Sequence, residues 1–157
     1  MNNQGRGKGL AAFFRKDKFS VSRTFSDENL QITVFDSEDL CVIGVYRSCS
    51  EKYLGRVLAN VIPKANPRLV IGDLNICSRS ASNHSALKLL RDRGFEMQNY
   101  QASHFGGGAL DQAWLRTNTG APQVTNTEIY STVFNCKDHD AILFTYYSPQ
   151  KEKSIDF

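Results

Sequence analysis

A chain of 157 residues, 41% hydrophobic and 22% charged, suits one domain with a real core and is too ordinary in composition for a disordered or fibrous protein. No apolar run reaches bilayer length, and the opening MNNQGRGKGL lacks the apolar stretch of a secretory signal, so the expectation is a cytoplasmic or nuclear protein that does not cross a membrane. The formal net charge of +3 permits a polyanionic partner without arguing for one, and the basic residues in GRGKG (5–9), RKDK (15–18) and RDR (91–93) read first as solvated surface.

The elements follow in order, with no internal repeat and no low-complexity segment. LAAFFR (10–15) and FSVSRTF (19–25) read as two strands joined by a charged turn around Asp17. LQITVF (30–35) alternates, with Leu30, Ile32 and Val34 on one face and Gln31 and Thr33 on the other, the pattern of a half-buried strand. LCVIGVY (40–46) is apolar on both faces and belongs in the middle of a sheet. Ser48 and Glu51 form an S-x-x-E capping box ahead of a helix whose stripe is Leu54, Val57, Leu58 and Val61, and Pro63 stops it. The apolar strand 68–72 then ends abruptly in Asp73, Leu74 and Asn75. A second helix runs from an Asn83 cap to Arg93, and Gly94 ends it in a left-handed conformation. The glycine loop 106–108 leads to a strand, LDQAWLR (110–116), on which alternation sends Trp114 to the face opposite Asp111 and into the core. EIYSTVF (128–134) is ambiguous, AILFTYY (141–147) is a last strand, and 149–157 is a polar tail beyond a domain of 1–148. The fold class is therefore α/β with a mixed sheet and flanking helices.

Cys41, Cys49, Cys77 and Cys136 contain no C-x-x-C pair, which speaks against a zinc knuckle. They read as free thiols, with Cys41 a small core residue.

The helix–strand unit at 53–75 resembles one crossover, and ligands of such units sit beyond the carboxyl ends of the strands. Asp73 and Asn75 stand at such an end. Asp111 begins a later strand, and Asp138, His139 and Asp140 precede the last one. Singly, each is an ordinary turn or capping residue. Together they are the parts for metal-assisted phosphodiester hydrolysis: carboxylates for Mg²⁺, a carboxylate to align water, an imidazole to move a proton and an amide to meet a phosphate oxygen.

GDLN (72–75) resembles the G-D-x-N motif of the endonuclease/exonuclease/phosphatase family, the deoxyribonuclease-I-like and exonuclease-III-like fold. ALDQAWL resembles that family's late Asp strand, KDHDAI its S-D-H-x-x-[IVL] motif, VYRS (45–48) its strand-end V-Y, and GKGLAAFFRK its glycine-rich strand. The order agrees from Gly7 to about Tyr147, and the texture is most like nuclease domains of mobile elements. The resemblance implies a part of a four-layer α/β/β/α sandwich, Mg²⁺ or Mn²⁺ as cofactor, and nucleic acid, DNA ahead of RNA, as substrate. It assigns catalysis to Asp73, which aligns or deprotonates water, Asn75, which bonds the scissile phosphate, and His139, which stabilises charge there, with Asp111 orienting His139. Asp138 would help hold the metal, and the Tyr46 hydroxyl would lean toward phosphate. Arg47, beside it, reads either as a phosphate clamp or as a surface salt bridge. His104 reads either as a wall of the substrate groove or as a loop-packing residue, and His84 as an exposed neighbour of the cap.

The 157 residues hold no counterpart of the family's early strand-end Asn or of its Q-E motif, whose Glu is a principal metal ligand; the nearest Glu residues lie in SDENLQ (26–31) and SEKY (50–53). The resemblance therefore implies weakened Mg²⁺ affinity and an under-covered sheet that seeks a second copy or a missing-half partner. It leaves open an inactive or split nuclease remnant that binds nucleic acid or protein, and a phosphatase of small phosphoesters.

Overall fold

The computed structural model describes residues 10–48, 52–81, 83–99, 101–117, 124–130, 139 and 141–146. Three antiparallel strands open it: β1 (Ser20–Ser26), β2 (Leu30–Asp36) and β3 (Cys41–Arg47). Helix α1 (Leu54–Ala65) crosses over to β4 (Leu69–Asp73), which pairs parallel with β3. Helix α2 (Ser85–Asp92), β5 (Phe95–Met97) and β6 (Asp111–Arg116) follow, then the antiparallel pair β7 (Val124–Tyr130) and β8 (Ala141–Tyr146). The larger sheet is six-stranded and mixed, in the order β1-β2-β3-β4-β6-β5; β7 and β8 form a second sheet.

Periodicity decides which face is buried. Leu30, Ile32 and Val34 of β2 face Ile43 and Val45 of β3, Val70 of β4 and Trp114 of β6 in one core, closed by Leu54, Leu58 and Ile62 of α1 and Ala86, Leu87 and Leu90 of α2. Each such large aliphatic side chain contributes about 1.5–3 kcal/mol by leaving water. A smaller cluster on the other face gathers Leu69, Ala113 and Leu115 with Val42 and Ile71. The central place expected for LCVIGVY holds, since β3 lies between β2 and β4. Gly94 takes the left-handed φ of 76° expected after α2.

Four local expectations change. Residues 10–15 form no strand: the Leu10 N–H goes to the Gln31 side chain, the Arg15 carbonyl accepts from Lys18 and Phe19 to close a turn, and Phe13 is 99% exposed. Ser48 is no helix cap, because its N–H and hydroxyl both bond Asn29 across the sheet; α1 starts at Leu54 with no side-chain cap at Tyr53. Pro63 lies inside the last turn of α1, which ends at Asn66 in the left-handed region. Its missing N–H removes one bond where the helix is about to finish, and so does not stop it earlier. The cap of α2 is His84 rather than Asn83, its Nδ1 accepting from the Ala86 N–H at 3.2 Å.

Candidate active site

Register brings the site together. Gln31 stands opposite Tyr46, Tyr46 beside Asp73, and Asp73 opposite Asp111, one row across β2, β3, β4 and β6. In-register residues share a face, here the one away from the helices, and the row lies at the carboxyl ends of the parallel strands β3 and β4.

The strand-end motif has a structural logic of its own. Gly72 has a φ of 140°, and a Cβ there would stand 1.9 Å from the Val45 carbonyl oxygen, so only glycine fits. Asp73 accepts the Asn75 N–H on Oδ1 at 2.8 Å, an Asx turn that holds the carboxylate at the strand end. Asn75 has a φ of 49°, a left-handed turn position that Asn tolerates better than most residues. The motif is thus a turn as well as a set of functional groups.

Arg47 supports this turn from below. It is 7% exposed, and its Nη1 donates to the carbonyls of Leu74 at 3.3 Å and Asn75 at 3.1 Å. The sequence readings, an open phosphate clamp or a surface salt bridge, give way to a buried brace. The reason is alternation: Arg47 points to the helix side of β3, next in register to Leu30, while Tyr46 points to the site side.

Asp111 and His139 meet directly, with Nδ1 of His139 and Oδ2 of Asp111 2.8 Å apart. A carboxylate oxygen accepts, so Nδ1–H donates. The same Oδ2 takes the Ser103 hydroxyl at 2.7 Å, while Ser103 Oγ accepts the Asp111 N–H at 3.1 Å. Ser103 is fully buried, and nothing in the sequence singles it out: it lies in the ordinary stretch ASH, and only the return of the loop places it on Asp111.

His104 stands directly against His139. It forms an isolated antiparallel bridge with His139, and the two rings stand edge to face with centroids 5.0 Å apart. The Gly106 N–H donates to His104 Nδ1 at 3.1 Å, which leaves the Nε2–H tautomer of the neutral ring. Tyr46 is half-buried in the row beside Asp73. Asp138, expected as a metal ligand, lies outside the described residues, as does Asp140.

Burial pushes the Asp73 carboxyl above the usual carboxylate range, and the charge of Asp111 adds to the rise; the Asn75 N–H, His139 and His104 offset it only in part. Two crowded carboxylates with imidazoles beside them favour either a shared proton or a bound cation. Asp73, Asp111 and His139 each offer one ligand atom, all within 4.8 Å of one another. Two carboxylate oxygens and an imidazole nitrogen form a donor set that fits a divalent cation.

No protein-family model matches the chain, and no curated protein matches it. Among solved structures, the catalytic domain of human Nocturnin, determined with a bound sulfate anion, shares the fold with a TM-score of 0.54. The match covers 84% of this chain and 62% of that one at 13% identity. The mixed α/β fold is therefore that of the Nocturnin catalytic domain, in agreement with the fold that the motifs imply.

Proposed function

We propose that the chain is a metal-dependent phosphodiesterase of the endonuclease/exonuclease/phosphatase superfamily, acting on nucleic acid. The observation that carries this reading is the contact of His139 with Asp111 at 2.8 Å, with the Asp73 carboxylate alongside. Asp111 holds the His139 ring so that Nε2 faces a phosphate oxygen, where it donates or takes a proton as charge develops. Asp73, whose carboxyl burial and the Asp111 charge raise above the usual carboxylate range, accepts a proton from water or aligns it for attack. The Asn75 carboxamide, which has no hydrogen bond among the described residues, is free to donate to a non-bridging oxygen. Asp73 and Asp111 would hold a Mg²⁺ or Mn²⁺ ion, which would supply neutralising charge at the phosphate. The sulfate of the Nocturnin structure is a tetrahedral oxyanion of the phosphate class, and so supports the same reading.

The test is Mg²⁺- and Mn²⁺-dependent cleavage of supercoiled plasmid, single strands and an abasic duplex, with Asp73→Asn and His139→Ala as controls. Cleavage by the wild type and its loss in both variants is the expected result. A folded protein that leaves all three substrates intact but releases phosphate from an inositol phosphate would move the reading to a small-phosphoester phosphatase. Inertness toward every substrate would leave the interaction-module reading.

A further inference from the structure

We infer that Phe105 is a stacking platform for a nucleobase next to the scissile phosphate, so that the site takes an unpaired base with its phosphodiester. Phe105 is 79% exposed, at the tip of the loop that carries Ser103 and His104. A phenylalanine left so open gives up the burial that would stabilise the fold. The ring is also not isolated. It tilts at 37° to the His104 ring with centroids 4.8 Å apart, and His104 in turn meets His139 at 5.0 Å. Three rings thus step outward from the Asp111–His139 pair to solvent. A phosphate held at His139 would bring its neighbouring nucleoside beside this ladder, whose solvent-facing end is the exposed Phe105 ring.

Loop geometry keeps the ladder in place. The Gly107 N–H bonds the His104 carbonyl at 2.8 Å, the Gly108 carbonyl takes both the Ser103 and His104 N–H groups at 3.1 Å, and the Gly106 N–H holds the His104 ring. The ring next to Phe105 is therefore set by the same loop that orients Asp111 through Ser103. Every base has a π face, so such a platform tolerates sequence but requires a base that is not paired inside a duplex. The ligand class is a single-stranded or locally unpaired nucleic acid, rather than an inositol phosphate or another base-free ester.

This inference rests on the phosphodiesterase reading of the site, and the two are separable by measuring binding without turnover. Fluorescence anisotropy in EDTA would compare a short single-stranded oligonucleotide with one whose central bases are replaced by base-free spacers, for wild type, Phe105→Ala and Phe105→Trp. Phe105 is exposed, so the variants fold. The expected result is that Phe105→Ala weakens binding of the base-bearing strand roughly tenfold, that Phe105→Trp keeps it, and that the spacer strand binds weakly and equally to all three. The inference is overturned by a Phe105→Ala protein that binds the base-bearing strand like wild type, by an equal loss on the spacer strand, or by a fall in sedimenting mass showing that Phe105 is covered by a second copy. Base-dependent binding without any metal-supported cleavage would uphold the platform and sink the phosphodiesterase reading; cleavage with binding indifferent to Phe105 would do the reverse.

Discussion

Asp73 sits where a carboxylate is uncomfortable. Burial and the Asp111 charge raise its pKa when the chain is folded. The folded state then holds the Asp73 proton more tightly than the unfolded chain does, so stability falls as pH rises from the ordinary carboxylate range through the raised value. Asp73→Asn removes the charge and keeps an oxygen to accept the Asn75 N–H. The variant is expected to melt above wild type at neutral pH, with the gain vanishing below the ordinary carboxylate range, while cleavage is lost. Melting curves across pH check this, and a variant less stable than wild type at neutral pH would contradict it. Ser103→Ala acts in the opposite sense. It deprives a half-buried carboxylate and a backbone N–H of one partner each, at a cost of about 1 kcal/mol in thermal or urea unfolding. With Asp111 less well held, kcat should fall about tenfold or more with KM little changed. The placement of Asp73, Asn75, Asp111 and His139 at strand ends was legible because each sits in a short motif there. Ser103 was not, because its role comes from a loop folding back over eight residues, which no local pattern encodes.

At the scale of elements, β4 and its turn depend on a residue from the neighbouring strand. Arg47 donates to two carbonyls in the turn that carries Asp73 and Asn75. Arg47→Met fills similar space but leaves both carbonyls without that donor, so it should destabilise the fold by about 1–3 kcal/mol and lower kcat by loosening the turn. A residue that clamps phosphate from the surface would instead raise KM and leave the unfolding midpoint in place, so the two measurements separate the roles. Alternation in LQITVF and the all-apolar LCVIGVY were readable because a two-residue period needs no tertiary information. Ser48 misled because the same hydroxyl that can cap a helix can bond Asn29 across the sheet, and the tertiary partner won. The three residues of β5 are too short to show any period, and they are held by pairing with β6.

Over the whole molecule, the site straddles two sheets. Asp73, Asp111 and their row belong to the six-stranded sheet, while His139 stands two residues before β8 of the second, hydrogen-bonded to Asp111 of β6 and bridged to His104. The helices and most strands pack around the larger core, so far-UV circular dichroism reports mainly on that body. The proposed activity requires more, because on that reading His139 must also remain against Asp111. Local openings of one part of a fold cost less free energy than global unfolding. In a urea titration, activity should therefore decline at a lower concentration than the circular dichroism signal, and substrate should shift the activity midpoint upward by favouring the docked arrangement. Coincident midpoints, with and without substrate, would mean that the two sheets unfold as one unit and that the His104–His139 bridge is not where the molecule first gives way.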